Sequence, residues 1–430
     1  MSRFLAEQFL DRRDPVLGGR CTPLVERASV ERHRAIEVTY PDEYRGILSL
    51  DVIHDGRCIP DEFLIDRHGG AIEEEALRER FIAERDWGAS IIAARLAQHL
   101  GLGGFLRVGI ARVLLDFGRF PGSTAWLASH LNRFAINFPF SELLSYRQKA
   151  TLLERYYDGI SREFEAALDG KLLKIAIHTY DTHNQSGTVR PPVSLLTRSV
   201  GIETHGEMPQ GLFDPLYPDI LGEFTADRVL RDRMSLLLEK SGIPVAHNYP
   251  YNLPEGSLEV RYQVWSFFRY VRRRFEEAHP DAIGDPAFRM VWEMLSDTNL
   301  RSSESEALRS HIHMFRRPPE DRRAEFETAE AAYTRVQRFL DADNRQVIDD
   351  YRFSPSRASS LAIEVRKDLI FDLDDAGWPI RYRPETVDVL THAMADALAT
   401  YLRDDRPLGT PQPFERRDPW YGTHPAKTPR

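Results

Sequence analysis

The amino-acid sequence predicts an α/β protein with a mostly parallel or mixed central sheet, flanking helices and an inserted helical segment. Short runs rich in Val, Ile and Leu end in polar residues, as is typical of buried strands where they leave a sheet. Segments with helical spacing separate three of these runs, "RGILSLDVIH", "FLRVGIARVLLDFG" and "KLLKIAIH". This alternation of strand and helix indicates parallel strands covered by helices.

The chain divides into an extension, one large domain and a tail. Residues 1–45 are polar and mixed in character and are predicted to form an N-terminal extension, with "RAIEVTYP" as an edge strand. Residues 46–403 are predicted to form a single α/β domain, long enough for a large hydrophobic core. Residues 404–430 are rich in proline and polar side chains, which favours a tail that crosses the surface or is partly disordered.

Helical segments follow the strands in the order that a parallel sheet requires. Residues 72–100 have apolar side chains at helical spacing, and Gly101 suits the C-terminal cap. Residues 143–168 are also helical by pattern, and a fourth strand is predicted in "RASSLAIEVRKDLI". The charged segment at about 285–353 has helical character, and we expect it to be an insertion that forms a lid or a flanking layer.

Composition limits the classes of partner. The chain of 430 residues has a formal net charge of -9 with interspersed acidic and basic residues, which argues against a nucleic-acid or anionic-membrane surface. Cys21 and Cys58 are the only cysteines, too few for a disulfide framework or a thiolate zinc site. No apolar span of membrane-crossing length occurs. We expect a cytoplasmic protein with a small-molecule or peptide substrate, whose oligomeric state the sequence leaves open.

Polar clusters follow the predicted strands. His54 and Asp55 come after the first strand, Asp116 and Arg119 after the second, and "HTYDTH" at 178–183 after the third. The carboxyl ends of parallel strands meet at one edge of a sheet, where α/β proteins bind their ligands. We therefore expect these clusters to gather around one site.

The residue types at the strand ends match the needs of zinc hydrolysis. Such a site takes two or three His or carboxylate ligands, an open position for water, and a carboxylate that moves protons. His54, Asp86 and His178 come from three separate elements, and Glu364 comes from the fourth strand. Structural roles are the alternatives: hydrogen-bonded histidines, a helix N-cap at Asp86, and an ion pair of Glu364 with Arg261 or Arg366.

The order of these segments resembles the N-formylglutamate amidohydrolase family, zinc hydrolases distantly similar to zinc carboxypeptidases and to the succinylglutamate desuccinylase and aspartoacylase group. Five segments carry the resemblance: "VIHDGRCIPDEF", "ERDWGAS", "ARVLLDFGRFPG", "IAIHTYDTH" and "LAIEVRKDLI". They resemble, in turn, the family's Pro-His-Ser-Gly…Ile-Pro, Thr-Asp-Trp, Arg-x-x-x-Asp-x-Asn-Arg, Asp-x-His-Ser and Glu-x-Arg segments. The resemblance implies a phosphorylase/hydrolase-like metallohydrolase fold.

The resemblance implies a zinc ion and its ligands. His54 and His178 would be the imidazole ligands and Asp86 the carboxylate ligand, with Asp55 as the rival for that position. The His-x-x-Glu ligand pattern of carboxypeptidases is absent, because Arg57 stands three residues after His54. An acidic ligand must then come from elsewhere in the chain.

Catalytic roles follow from the same resemblance. Glu364 would pass a proton from water to the leaving nitrogen. Arg112 and Arg119 would hold a substrate carboxylate or polarise the carbonyl, or else they are ion-pair partners of Asp116. Gly118 stands where the family has an Asn before the second arginine, so one side-chain amide is missing from the pattern.

The predicted function is zinc-dependent hydrolysis of an amide C–N bond. The substrate would be an N-acyl amino acid of the N-formylglutamate type, bound by Arg119, Arg366, Asp181 and His183. The last two residues are alternatively metal ligands, partners of those ligands or turn residues. We expect N-formylglutamate itself to be handled poorly, because Gly118 lacks the amide. The alternative functions are a peptide- or modified-side-chain-directed amidohydrolase and a catalytically silent binding protein.

Overall fold

The alternating strands and helices are seen in a computed structural model, which describes residues 14–31, 37–123, 134–184, 186–199, 213–254, 256–299, 303–314, 316–341, 345–354, 357–375, 377–405, 417–418 and 422–425. In these residues the central sheet consists of β1 (Val25–Ser29), β2 (Leu48–Val52), β3 (Gly104–Val108), β4 (Leu173–Tyr180), β5 (Val193–Leu196), β6 (Val245–His247) and β7 (Ser359–Arg366). Shorter strands are Val16–Leu17, Cys58–Ile59, Phe120–Ser123, Phe134–Ile136, Phe371–Leu373, Pro379–Tyr382, Arg417–Asp418 and Gly422–Pro425.

The helices lie between and after these strands. They are α1 (Glu43–Ile47), α2 (Glu74–Glu84), α3 (Ala89–His99), α4 (Phe140–Leu143), α5 (Tyr146–Thr151), α6 (Asp158–Ala167), α7 (Asp219–Gly222), α8 (Arg228–Lys240), α9 (Leu258–Ala278), α10 (Pro286–Ser296), α11 (Ser303–Met314), α12 (Arg323–Asp341), α13 (Arg345–Arg352) and α14 (Pro384–Thr400). Turns of 3₁₀ helix occupy Asp61–Phe63, Pro280–Ala282, Glu320–Arg322 and Lys367–Leu369, and π-helical turns occupy Leu152–Tyr157 and Tyr401–Asp405.

The central sheet is mixed, in the order β6-β5-β7-β4-β2-β3-β1. The four inner strands β7, β4, β2 and β3 are parallel to one another. β1 runs antiparallel to β3 at one edge, and β5 runs antiparallel to β7 near the other. Every residue of β4 is buried, so both faces of the sheet are covered. The predicted α/β class with a mixed sheet and flanking helices is confirmed.

The strand order creates a crevice at the carboxyl ends of β2 and β4. The chain leaves β2, passes through α2 and α3 and enters β3 on one side, whereas β4 lies on the other side of β2. Connections that diverge from neighbouring parallel strands leave a crevice between them, and ligands bind there. The crevice therefore lies where polar residues follow β2 and β4.

Helix α9 joins the sheet to a second hydrophobic core. Its residues Leu258, Tyr262 and Trp265 pack into the sheet core. Other α9 side chains, including Val264 and Phe268, pack into a separate core with α10 to α13. The range predicted as a helical insertion, 285–353, contains α10 to α13, and their core also uses α9 and side chains as early as Phe213.

The helix predicted at 72–100 is interrupted at 85–88, which separates α2 from α3. Gly88 has a φ of +86°, a left-handed conformation that glycine adopts readily. A Cβ there would lie 2.9 Å from the side chains of Ile370 and Phe371, so the packing also requires glycine. The interruption places Asp86 beside the end of β2, where its N–H donates to the carbonyl of His54 at 3.1 Å.

Three other sequence-based expectations differ from the structure. Residues 25–29, placed in an extension, form the edge strand β1, whose single buried residue leaves no continuous apolar signal. The strand predicted in "FLRVGIARVLLDFG" ends at Val108, and the rest of the segment is a loop. Of the predicted edge strand "RAIEVTYP", residues 37–41 have no regular structure and the remainder lies outside the described residues, as does most of the tail.

The two cysteines form a disulfide that the sequence analysis did not anticipate. Cys21 and Cys58 have Cα atoms 5.7 Å apart and bond across 37 positions of sequence. The bond ties the segment before β1 to the short strand Cys58–Ile59, which follows β2. Separately, no helix among the described residues has the length and apolarity needed to cross a bilayer.

A buried ion group ties β2, β4 and α9 together below the crevice. Lys174 Nζ lies 3.0 Å from Asp51 Oδ2 and 2.7 Å from Glu259 Oε1, and all three side chains are buried. Burial raises the pKa of Asp51 to about 6. Burial acts the same way on Glu259, but the charge of Lys174 outweighs it and holds that pKa at about 2. One buried ammonium therefore balances two carboxyl groups.

We expect Lys174→Met to lower the free energy of unfolding by about 3–5 kcal/mol, because it leaves two buried carboxyl groups without their cation. Urea denaturation followed by circular dichroism measures the loss. Lys240→Met, at the exposed end of α8, is the matched control and should change stability by less than about 0.5 kcal/mol. A Lys174→Met protein as stable as the parent would show that the group contributes little to the fold.

Candidate active site

The carboxyl ends of β2, β4 and β7 open into a cavity of about 810 Å³. His54 follows β2 by two residues, and His178 lies near the end of β4. Glu364 on β7 is paired in register with His178, so the parallel pairing brings the two side chains to the same level of the sheet. All three residues line the cavity. The sheet thus gathers side chains that are far apart in sequence.

His54, Asp86 and His178 form a compact group of metal-ligand type. One ligand atom from each lies within 4.8 Å of the others, and no second group in the described residues meets this criterion. Asp86 Oδ2 is 3.3 Å from Nδ1 of His54 and 3.0 Å from Nδ1 of His178. The buried Nδ1 of His54 has no hydrogen-bond partner. Two imidazole nitrogens and a carboxylate suit a divalent metal such as zinc, so these three residues fit a metal ion.

Asp86 is ionised in this setting. Burial opposes the charge, but Arg112, whose Nη1 donates to Asp86 Oδ1 at 2.8 Å, and His54 outweigh it and hold the pKa of Asp86 well below its usual range. The rival ligand Asp55 has a different partner, since its Oδ1 accepts from Arg85 Nε at 2.6 Å. Asp55 does not belong to the metal-type group.

Asp116 holds the other side of His54. Its Oδ1 is 2.7 Å from His54 Nε2, and its Oδ2 is 3.1 Å from Arg112 Nε and 3.0 Å from Arg119 Nε. Burial opposes ionisation, yet His54 and the two arginines hold the pKa of Asp116 well below its usual range. A carboxylate at Nε2 orients the imidazole, so that its Nδ1 faces Asp86.

Gly118 makes room for this contact. A Cβ at position 118 would lie 3.1 Å from Cε1 and Nε2 of His54 and 3.2 Å from Asp116 Oδ1. The backbone N–H of Gly118 also donates to Asp116 Oδ1 at 3.0 Å. A larger residue would have to displace the imidazole or the carboxylate. Packing therefore favours a residue without a side chain at position 118, which is why no side-chain amide is present there.

Glu364 lies beside the metal-type group and is held by a tyrosine. The hydroxyl of Tyr251 donates to Glu364 Oε1 at 2.6 Å. Burial raises the pKa of Glu364, although His178 opposes the shift. Burial also raises the pKa of Tyr251 well above its usual range, so the phenol stays a neutral donor. For His178, burial favours the neutral form, but Asp86 and Glu364 outweigh it and raise the pKa to about 9.

The two arginines use part of their hydrogen-bonding capacity on the protein. Arg112 contacts Asp116 through Nε and Asp86 through Nη1. Arg119 contacts Asp116 through Nε and donates from Nη1 to Asn137 Oδ1 at 2.9 Å. In the described part of the chain, neither Nη2 makes a hydrogen bond. Both arginines line the cavity, so these edges are suited to a ligand oxygen.

The structure separates two other predicted site residues, Arg366 and His183, from this group. Arg366 does not line the cavity, because its Nε pairs with Asp368 at 2.7 Å and its Nη1 donates to the carbonyl of Arg190 at 2.8 Å. His183 is exposed in a turn paired with Val189 and is also absent from the cavity wall.

Asp181 lies at the cavity, where its exposed carboxylate accepts from Lys367 at 2.8 Å. The other cavity residues with polar side chains include Glu84 and Asn137, which the sequence analysis did not single out. Glu84 could have been selected from the sequence because it lies two positions before Asp86. Nothing in the sequence around Asn137 distinguishes it from other asparagines. Burial raises the pKa of Glu84 to about 7, although Arg112 opposes the shift.

Comparisons with known proteins give a distant likeness. No family model matches the chain, and no curated protein matches it. An N-formylglutamate amidohydrolase from Ralstonia eutropha JMP134 is similar in structure, with a TM-score of 0.42, 16% identity, and 84% of this chain and 96% of that chain covered. A gene product from Agrobacterium tumefaciens has a TM-score of 0.38 and 14% identity, with 83% and 92% covered. At these values the likeness does not identify the activity.

We expect about one divalent metal per chain after expression with added zinc, and we expect His178→Ala to lose most of it, because one of three ligands is removed. Elemental analysis of the purified protein measures the content. His183→Ala is the matched control, since this exposed histidine lies outside the cavity. Full metal content in His178→Ala, or no metal in the parent, would contradict the ligand assignment.

Proposed function

We propose that this protein is a zinc-dependent hydrolase that cleaves an amide C–N bond of an N-acyl amino acid or a related amide. The observation that carries the proposal is the His54, Asp86 and His178 group, with its unpartnered Nδ1, beside the buried carboxyl of Glu364 in one cavity. A bound zinc ion supplies Lewis-acid polarisation of the amide carbonyl and lowers the pKa of a water molecule.

Glu364 is the proposed proton carrier. Its carboxyl is buried at the cavity, and the Tyr251 hydroxyl fixes its orientation through Oε1. Oε2 is left to accept a proton from the attacking water and deliver it to the leaving nitrogen. Burial, which raises the pKa of Glu364, favours a carboxyl that holds the proton between the two transfers.

The arginines are the proposed holders of substrate oxygen atoms. Arg112 and Arg119 are fixed by Asp116, and both line the cavity with an Nη2 that makes no hydrogen bond to the described residues. A guanidinium in such a position stabilises a carboxylate or the negative charge that develops on a carbonyl oxygen. Because Asp116 is ionised, it fixes the position of both arginines before substrate binds, and ionised Asp86 adds a second contact to Arg112.

The cavity favours substrates larger than a formylated amino acid. Its volume of about 810 Å³ lies in the upper part of the range for sites that take drug-sized molecules. Leu196, Leu253 and Ala362 belong to a small apolar cluster and form part of the wall, so an apolar group can be buried there. The same volume supports the second candidate, an amidohydrolase that acts on a short peptide or a modified side chain.

We expect Glu364→Gln to lower kcat by about 100-fold or more while zinc stays bound, because the amide keeps the shape but cannot accept a proton. Steady-state rates on the best of a panel of formyl, acetyl and succinyl amino acids give the effect. Glu327→Gln on the exposed face of α12 is the control. A Glu364→Gln protein as fast as the parent would remove the residue from the reaction, and a parent inactive on all amides would favour a binding protein.

We expect the parent to hydrolyse N-formylglutamate with a lower kcat/KM than larger N-acyl amino acids or short peptides, because the small substrate leaves much of the cavity unfilled. Arg119→Met should lower kcat/KM by about tenfold or more for substrates with a carboxylate, through loss of a charged contact. A panel of amides assayed with both proteins tests the two statements. N-formylglutamate as the best substrate would overturn the first.

A further inference from the structure

Asn137 lies in the wall of the cavity, directly after the strand Phe134–Ile136, and is 6% exposed. Its Oδ1 accepts from Arg119 Nη1 at 2.9 Å. Its Nδ2 donates to the carbonyl of Arg112 at 3.0 Å and to Glu84 Oε2 at 3.2 Å. One amide thus connects Glu84 at the end of α2 with both arginines of the site.

The partners determine which way the amide points. A guanidinium can only donate, and a backbone carbonyl can only accept. Oδ1 must therefore face Arg119, and Nδ2 must face the carbonyl of Arg112; turning the amide over would lose both bonds. An asparagine has two N–H donors, and both are used. Asn137 keeps no donor for a substrate, so it acts on the site through Arg119.

The contact fixes the guanidinium of Arg119 at a second point. Asp116 holds Nε at 3.0 Å, and a guanidinium held at one point can still swing about that contact. Asn137 holds Nη1 as well, which fixes the plane of the guanidinium and leaves Nη2 without a hydrogen bond to the described residues, in an arginine that lines the cavity. Two anchors on a planar group reduce the rotamer freedom that is lost on binding a ligand.

We propose that Asn137 is a positioning residue that sets the Nη2 edge of Arg119 for a carboxylate or carbonyl oxygen of the substrate. The proposal rests on the proposed function and extends it to a residue outside the metal-type group. Gly118 cannot supply an amide beside Arg119, and a side chain there would press on His54. Asn137 provides an amide to the same arginine from the segment that follows the strand Phe134–Ile136.

The test compares KM, kcat and direct binding in three variants. Asn137→Leu removes all three hydrogen bonds at similar volume, and we expect KM to rise about tenfold or more with a much smaller change in kcat. Asn137→Asp with Glu84→Gln keeps the oxygen on Arg119 and the hydrogen bond between the two side chains, but it loses the bond to the carbonyl of Arg112, so it should recover part of the loss. Asn299→Leu is the control, because this buried asparagine lies outside the cavity.

Glutarate, a soluble dicarboxylate, is the probe for binding without turnover. Titration calorimetry on the zinc-loaded proteins should give a Kd about tenfold higher for Asn137→Leu and an intermediate Kd for the double variant, with metal content close to the parent in both. Glutarate binding that depends on Asn137 in a parent inactive on amides would support this inference and end the proposed function. Active enzyme with unchanged KM and unchanged glutarate Kd in Asn137→Leu would overturn the inference and leave the function standing.

Discussion

The arrangement of the site depends on one buried carboxylate, Asp116. It receives the imidazole of His54 on one oxygen and the Nε atoms of Arg112 and Arg119 on the other. A buried charge is costly unless it is paired, and three cationic or donor groups around Asp116 offset that cost. In return Asp116 fixes the orientation of the His54 ring and of both arginines.

Arg112 extends this network to the metal-type group. It contacts Asp116 and Asp86 at once, so the carboxylate that orients His54 and the carboxylate that lies between the two histidines share a cation. Because burial weakens solvent screening, these contacts are stronger than the same pairs would be at the surface. The site is therefore organised before any substrate enters, which is how electrostatic catalysis avoids reorganisation during the reaction.

Two glycines allow the backbone to bring these groups together. Gly88 ends the interruption between α2 and α3 in a left-handed conformation, and this places Asp86 at the end of β2. Gly118 leaves the space in which His54 meets Asp116. Below the site, Lys174 joins β2, β4 and α9, so the strands that supply both histidines are tied to the helix shared with the second core.

Local sequence determined the fold class and the positions where chemistry could occur. Apolar runs that end near His54 or His178 mark strand ends, because a buried strand and an amphipathic helix can each be recognised from a short segment of sequence. The local sequence pattern did not predict β1, because this edge strand is half polar. It also predicted α2 and α3 as one helix, because the need for glycine at position 88 depends on Ile370 and Phe371, far along the chain.

Only the tertiary structure decided which polar residues meet. Asp86 and Asp55 look alike in sequence, and the difference is the partner: Arg112 and two histidines for one, Arg85 for the other. Asn137 and Tyr251 carry no local signal, because a hydrogen bond between residues distant in sequence depends on strand order and helix packing. The sequence determined the inventory of strands, helices and ionisable groups, and the topology of the mixed sheet selected from it the few groups that share the cavity.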